Sequence, residues 1–434
     1  MSKLPPGTTS AVLTSMRVLR DPVGSMEKWK AKYGDPFYCN SLNGPIVMTG
    51  NPEGVAQIFR ENPEHLKPFA MENASTYLGK GSILLSYGNK HRNDRKLMRP
   101  PFSAKRMKTY AQAMARITRQ VLDESKTGGE INMLETGHAI SLWIILETVF
   151  GFHKREAVQH MNYLVRGMLA NLHPSFMFAT ILQNRFWPPW RRFSNFRQEY
   201  HSQILDKIET LRSETESGED ILSLLMAATY DDGSRMSEDE LTDQLNTLLM
   251  AGHETTAIAM AWAMYWILLN PAVLARTKAE IDQLGPDPDP VAYTQLDYLS
   301  AVVKETLRIR PIITEMMRLL TTPMDLLGYE VPAGHNVGFS ISLLHFNPDV
   351  YEDPETFRPE RFLETKYKPY EFIPFGGGHR HCLGSAFAEF ELKIALGVLL
   401  SSAEWQLLDP PDLPMVRRSI TMAPKGGVRL IKKS

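Results

Sequence analysis

Between Ser237 and Asn270 the chain runs about 34 residues without a proline, and Pro271 follows at once. Ser237-Glu-Asp-Glu240 places a hydroxyl three residues ahead of a carboxylate. That is a capping box with acids in the first turn, both of which favour a helix N-terminus. At ~1.5 Å rise per residue such a helix is a rod of roughly 50 Å. A rod of that length must cross the whole molecule. It argues for one large, mainly α-helical domain spanning residues 1–434, where 434 residues alone would suggest two or three.

Strand-like runs are few and short. Phe37–Asn40 and Pro45–Thr49 lie near the start, Met316–Leu320, Gly328–Val331 and Asn336–Ser340 suggest a small sheet, and Glu404–Leu408 with Val428–Ile431 suggest a second. Residues 1–20 read as an extended N-terminal segment around Pro-Pro-Gly, followed by a helix from Asp21 to Tyr33 and another opened by Asn51-Pro52-Glu53. From Glu61 to Gly88 the chain is irregular, broken by Pro63, Pro68, Gly79 and Gly81, and a loop this long is commonly functional. Ser103 to Ser213 is mainly helical, with breaks at Gly128-Gly129 and around 174–189. Residues 286–293 read as a surface linker, after which Thr294-x-x-Asp297 should cap a helix carrying Leu299, Val302, Val303 and Leu307 at helical period.

Hydrophobic content of 43% and charged content of 22% are those of an ordinary soluble globular protein. A net charge of −1 argues against nucleic acid as partner, because phosphate binding needs a basic excess. Two cysteines, Cys39 and Cys382, cannot make a disulfide framework or a cysteine-rich zinc site. His253-Glu254-Thr-Thr-Ala257 begins like a zinc-peptidase motif, but Ala257 stands where the second histidine is required. With no apolar run of about 20 residues and no cleavable signal, a soluble cytoplasmic protein without a membrane anchor is expected.

Chemistry concentrates in Pro374-Phe-Gly-Gly-Gly-His-Arg-His-Cys-Leu-Gly384. Gly376, Gly377 and Gly378 permit positive φ and close approach to a flat partner. Apolar residues after Cys382 follow a helical spacing, so the sulfur sits close to a helix N-terminus, where N–H groups and the dipole favour a thiolate. A lone cysteine is usually a small buried hydrophobe, and a glycine run is often only a turn. Together, however, Phe375, Gly378, Arg380, Cys382 and Gly384 spell F-x-x-G-x-R-x-C-x-G, which resembles the haem-binding loop of the cytochrome P450 superfamily.

Three further segments carry the resemblance. Glu305 and Arg308 form E-x-x-R on one helix face, and Phe357-Arg-Pro-Glu-Arg-Phe362 supplies Arg361 some fifty residues on. An isolated E-x-x-R is ordinarily a surface pair; in the family these three form a buried network that braces the cysteine loop. Ala251-Gly-His-Glu-Thr-Thr256 in the long helix is similar to the oxygen-activation segment A-G-x-[DE]-T-T, its interior glycine costing ~1 kcal/mol against alanine and so asking for a reason. Gly88 to Arg99 sets His91 and Arg95 four apart, resembling the segment that meets the haem propionates.

The resemblance implies a mainly α fold with small β-sheets, a triangular-prism-like domain whose long central helix passes over haem b (iron protoporphyrin IX). It implies a soluble, bacterial-type monooxygenase with Cys382 as axial ligand of the iron. Glu254 and Thr255 would relay protons to bound dioxygen, and one oxygen atom would enter the substrate. His91, Arg95, Ala251, Arg318, Phe375, Gly376, Arg380 and Gly384 would contact the cofactor. By position, the loop 65–86, an apolar lid near 168–182, Leu248, Ile312, Ile313, Thr314, Thr421 and Met422 would line a cavity for a terpenoid, steroid or fatty-acid-like molecule. Glu315 departs from this apolar set and is expected to face solvent. No fused reductase is expected, so electrons would come from a ferredoxin or flavodoxin with its reductase, docking near Arg92, Lys96, Arg99 and Lys393. The rivals are a peroxide-driven or rearranging enzyme of the same fold and a non-catalytic haem sensor. Neither has use for the Glu254–Thr255 pair.

Overall fold

The computed structural model describes residues 4–69, 75–76, 78–171, 183–184, 186–213 and 218–433. Its packing separates into two units, Met1–Phe69 with Thr118–Gly137 and Thr255–Ser434, and Ala70–Ile117 with His138–Glu254. In chain order the helices are α1 (Ala11–Arg20), α2 (Pro22–Tyr33), α3 (Pro52–Arg60), α4 (Gly88–Met98), α5 (Ala104–Asp123), α6 (Met133–Thr148), α7 (Arg155–Ala170), α8 (Pro188–Ser213), α9 (Ile221–Ala227), α10 (Glu238–Leu269), α11 (Pro271–Asp282), α12 (Pro290–Tyr293), α13 (Asp297–Ile309), α14 (Ile341–His345), α15 (Arg361–Glu364) and α16 (Ser385–Ser402).

The long rod is α10, whose start forms as its capping box dictates. Glu240 N–H donates to Ser237 Oγ at 3.2 Å, and Ser237 N–H donates to Glu240 Oε2 at 3.1 Å. Its 32 residues give about 48 Å. From Thr256 to Tyr265 every residue is buried, the signature of a core helix. Among the described residues no single helix is long and apolar enough to cross a membrane; only α10 and α11 taken together pass by length and composition, and they are bent by 109° at their break.

The first unit carries the strands β1 (Phe37–Ser41), β2 (Gly44–Thr49), β3 (Leu66–Pro68), β4 (Glu130–Asn132), β5 (Glu315–Leu320), β6 (Met324–Leu326), β7 (Tyr329–Val331), β8 (Asn336–Ser340), β9 (Trp405–Leu407), β10 (Met415–Arg418), β11 (Thr421–Pro424) and β12 (Arg429–Lys432). Five of them join in the order β1-β2-β8-β5-β3, with β2 and β8 parallel and the other pairs antiparallel. One face buries Val47, Leu66, Leu320, Val337 and Phe339 against Val55 and Ile58 of α3. The run 328–331 does not join this sheet, because β7 pairs only with β6 as a hairpin. β12 lies between β4 and β9, and β10–β11 is a separate hairpin.

Three local expectations are corrected. Of the expected extended segment 1–20, the described residues before Ser10 are non-helical, with Thr8 N–H donating to the Tyr38 carbonyl at 2.9 Å; Ser10 then caps α1 by accepting from Leu13 N–H. The linker 286–293 contains α12, whose Tyr293 ring lies where a Cβ on Gly397 would be, 2.3 Å away. Thr294 does not cap α13. Its hydroxyl donates to the Val291 carbonyl, and the free N–H groups of Tyr298 and Leu299 donate instead to the Glu280 carboxylate of α11, both at 2.9 Å.

In the second unit α7 packs on α8, with Met168 and Phe193 buried among Trp187, Trp190, Phe196 and Met250. Most of the expected lid, 172–182, lies outside the described residues, as do 70–74 and 77 of the loop 65–86. The described part of that loop is tied to α10. Gln244 donates to the Gly81 carbonyl at 2.7 Å and accepts from Ile83 N–H at 3.0 Å, Asp243 accepts from Gly81 N–H at 2.8 Å, and Thr247 Oγ1 meets Ser82 Oγ at 2.7 Å.

Candidate functional site

The cysteine loop leads into α16, whose cap is Gly384. Gly376 N–H donates to the Ile373 carbonyl at 2.9 Å, and Cys382 N–H donates to that of Phe375 at 3.0 Å, so the chain folds back before the helix begins. Gly376 and Gly378 have φ of +65° and +61°, which L side chains rarely adopt. The close partner of the glycine run is α3. A Cβ on Gly377 would stand 2.1 Å from the Phe59 ring, and one on Gly378 would stand 2.9 Å from the Phe59 carbonyl oxygen. By contrast, a Cβ on Gly376 or Gly384 would meet nothing within 4 Å.

Cys382 is exposed, while Cys39 is buried in the core with Met26, Trp29 and Phe37. Burial pushes the Cys39 thiol up to about 12, which keeps it protonated and unreactive. The sulfur available as a ligand is therefore Cys382. One exposed thiol suits a metal whose remaining positions arrive with a prosthetic group. Phe375 is half-buried beside it, its ring 6.4 Å from that of His381.

Glu305, Arg308 and Arg361 form a fully buried network. Glu305 accepts from Arg308 Nε at 2.7 Å and Nη2 at 2.8 Å, from Arg361 Nε at 3.1 Å, and from the backbone N–H of Arg358 at 2.9 Å. The guanidinium groups also donate to the carbonyls of His345, Glu352, Asp353, Pro354 and Thr356. Two buried cations and one anion are thus reconciled by carbonyl dipoles. The network fixes the turns of residues 345–361, and His345 carries the connection on by accepting from Ile373 N–H at the entrance of the cysteine loop.

Arg318 lies on β5 and donates to the Met317 carbonyl at 2.7 Å. Burial pushes its guanidinium down to about 10, with no offsetting charge among the described residues. Such a cation fits an anionic ligand. Arg380, half-buried, closes the short 3-10 turn Gly378–Arg380. An exposed thiol at a helix start and an open glycine side fit a flat, iron-bearing cofactor, and the buried Arg318 cation fits anionic groups on such a molecule.

On α10, Leu248, Glu254 and Thr255 are half-buried and Ala251 is exposed, a stripe at three- and four-residue spacing beside the buried Leu249, His253 and Thr256. Gly252 is not part of it. A Cβ there would meet Ile145 Cδ1 at 2.9 Å, so the interior glycine admits a side chain of α6. His253 turns away, its Nδ1 3.1 Å from the Leu249 carbonyl, and burial lowers its pKa, leaving a neutral ring that donates to that oxygen. In the second unit, His91 is buried and Arg95 half-buried on α4, four residues apart.

Of the expected substrate contacts, Ile312 and Ile313 are half-buried, and Thr314, Thr421 and Met422 are buried. Met422 N–H donates to the Ile312 carbonyl at 2.8 Å, which joins the two segments. Glu315 contradicts its expectation. Its side chain is only 9% exposed, its Oε2 accepts from Thr314 Oγ1 at 2.8 Å, and Arg417 Nη2 lies 3.8 Å away. Arg417 went unnoticed in the sequence, since nothing local distinguishes it from any other arginine of a short hairpin. Of the expected docking residues, Arg92 and Arg99 are exposed, but Lys96 is paired with Asp231 at 2.6 Å and Lys393 is half-buried.

A family model described as Cytochrome P450 matches residues 5–430. The similar proteins include Putative cytochrome P450 138 of Mycobacterium tuberculosis, 30% identical over 406 residues covering 93% of this chain and 90% of the relative. Putative cytochrome P450 135B1 of the same organism is 31% identical over 436 residues, covering 98% of this chain and 91% of the relative. Among solved structures, retinoic acid bound cyanobacterial CYP120A1 matches with a TM-score of 0.88 at 23% identity over 99% of each chain, a likeness of fold.

Proposed function

Because this chain belongs to the cytochrome P450 family, and is therefore a haem-thiolate monooxygenase that carries haem b, we propose that it hydroxylates an apolar small molecule of terpenoid, steroid or fatty-acid type. Electrons come from a separate ferredoxin or flavodoxin with its reductase, and the reaction takes place in the cytoplasm. The observation that carries the site assignment is the exposed Cys382 at the start of α16, in a loop held by glycines, while the other thiol, Cys39, is buried and inert.

When bound, the haem supplies the oxidising chemistry that inserts one atom of O2 into a C–H bond. The Cys382 thiolate would hold the haem iron, and the hydrogen bond from Cys382 N–H to the Phe375 carbonyl folds the chain back at the residue that carries it. Arg318, Arg380 and Arg95 would neutralise the propionates and His91 would hydrogen-bond to them; the burial of Arg318 supports its place among them. Thr255 holds a proton for transfer at its Oγ1 and Glu254 replenishes it from its carboxyl, while the small Ala251 leaves room beside them. Glu305, Arg308 and Arg361 act on structure alone, keeping the approach to the loop rigid. The apolar Leu248, Ile312, Ile313 and Met422 keep water from the reacting carbon, and Thr314 and Thr421 spend their hydroxyls inside the protein.

Oxygen-dependent turnover of a panel of terpenes, steroids and fatty acids with surrogate ferredoxin and reductase tests this reading. Thr255→Ala should continue to consume electrons while releasing peroxide in place of product. A fully coupled variant would remove the proton relay from the assignment. Cys382→Ser should lose the thiolate-type carbon monoxide spectrum and Cys39→Ser should keep it; the reverse pattern would overturn the ligand.

A further inference from the structure

Glu315 and Arg417 form a polar pair that the proposed chemistry does not use. Glu315 opens β5, and Arg417 stands opposite Met422 in the β10–β11 hairpin, which the Met422–Ile312 bond joins to the chain just before β5. The pair therefore sits among the residues proposed to face the substrate. Only one carboxylate oxygen is used: Oε2 takes the Thr314 hydroxyl and faces Arg417 Nη2 at 3.8 Å. Among the described residues, Oε1 of Glu315 and Nε of Arg417 are both buried without a hydrogen-bond partner. Burial raises the Glu315 pKa, opposed by the Thr314 hydroxyl and the Arg417 charge. A buried acceptor and a buried donor, each unmatched, carry their full desolvation cost until something supplies partners.

We propose that Glu315 and Arg417 bind a hydroxyl group on an otherwise apolar substrate, the hydroxyl donating to Glu315 Oε1 and accepting from Arg417 Nε. The inference rests on the monooxygenase reading above, which sets residues 312–314 and 421–422 against the substrate. The choice of group follows from the two unmatched atoms. An ammonium group would satisfy the carboxylate and leave the guanidinium N–H without an acceptor; a carboxylate would satisfy the guanidinium and face the charge of Glu315. A hydroxyl donates and accepts at one atom, so it answers both. The substrate class narrows to alcohols of terpenoid, sterol or long-chain type, and an unmodified fatty acid entering carboxylate-first is disfavoured.

Spectral titration of the haem-loaded full chain with matched pairs tests the proposal: 1-dodecanol against dodecane, menthol against menthane, and cholesterol against cholestene. At least one alcohol should bind about 10- to 100-fold more tightly than its parent, the range expected of hydrogen bonds to charged groups. That preference should fall to within about threefold in Glu315→Leu and survive in part in Glu315→Gln, which keeps an acceptor. Arg417→Met, which removes the donor and keeps bulk, should also weaken it. The reduced carbon monoxide spectrum of each protein is recorded first. With the thiolate signature present, the absence of any alcohol preference in the wild type, or an undiminished preference in Glu315→Leu or Arg417→Met, overturns the hydroxyl site and leaves the haem reading standing. Loss of the signature in the wild type overturns both.

Discussion

The Nε2 atom of His345 accepts the backbone N–H of Ile373 at 3.0 Å, and its Nδ1 lies 3.2 Å from the Arg308 carbonyl. The ring can meet both only as the neutral tautomer with its proton on Nδ1. One imidazole thereby links the last turn of α13, where the Glu305 network begins, to the residue two places before Phe375. Burial, helped by the charge of Arg308, pushes His345 down to about 3.

That depression makes a pH prediction with a definite sign. An unfolded histidine takes up a proton near pH 6.5, whereas His345 in the folded chain does not until about 3. Its contribution to stability is therefore fully present above pH 6.5 and is lost as pH falls from there towards 3, at ~1.4 kcal/mol per pH unit. Urea unfolding of wild type and His345→Gln, compared at pH 7.5 and 5.5, should show the wild type losing about 1 kcal/mol more than the variant. Equal acid responses would remove His345 as the titrating brace.

The Glu305 network separates structural from surface ion pairs. Glu305→Ala would leave Arg308 and Arg361, both essentially unexposed, without their common anion. Removing one partner of a buried charge network costs ~3–5 kcal/mol. Arg60→Ala, which breaks the exposed pair with Glu53 at 3.3 Å, should cost under ~1 kcal/mol. Thermal unfolding with haem content measured in parallel checks both. A Glu305→Ala protein as stable as Arg60→Ala would mean that the backbone carbonyls alone satisfy the two arginines.

Both the rod of α10 and the E-x-x-R and cysteine-loop segments were legible in the sequence because each depends on spacing within one element or one turn. Ser237 and Glu240 cap the same helix whatever surrounds it. What could not be read are pairings between distant segments and elements too short to show a period. Glu280 caps α13 from α11, Arg417 approaches Glu315 across about a hundred residues, and β3, β4, β6, β10 and β11 have three or four residues each. Gly252 shows the remaining difficulty. The sequence correctly marked an interior glycine as needing a reason, but only packing identifies that reason as Ile145.

Two glycines of the cysteine loop should respond oppositely to the same methyl group. Gly378→Ala combines a φ of +61° with a backbone oxygen 2.9 Å from the new Cβ, so neither the loop nor α3 can relieve it cheaply. It should destabilise the chain by more than ~1 kcal/mol. Gly384 has a φ of −90°, and a Cβ there meets nothing within 4 Å, so the chain without haem should unfold at an unchanged urea midpoint. If Gly384 faces the cofactor, the same variant should nonetheless load haem more weakly. Unchanged haem affinity would place the cofactor elsewhere than against Gly384.

Gln244 offers a test of how the loop before α4 is held. Its amide is wholly buried and answers two backbone groups at once, the Gly81 carbonyl at 2.7 Å and the Ile83 N–H at 3.0 Å. Gln244→Ala leaves both unpaired, each at a cost of ~1–3 kcal/mol unless the loop moves to find water. Because this segment is exposed at Leu84, local opening is the cheaper response, and global stability should fall by less than the two costs combined. Hydrogen exchange at residues 79–86 should accelerate while α10 stays protected. If this loop shapes the substrate site, KM should rise with kcat little changed, since substrate and transition state would lose the same contacts. Gln244→Glu, which keeps the acceptor for Ile83 and loses the donor to Gly81, should fall between. Unaltered exchange in Gln244→Ala would mean that Asp243 and Thr247 hold the loop without it.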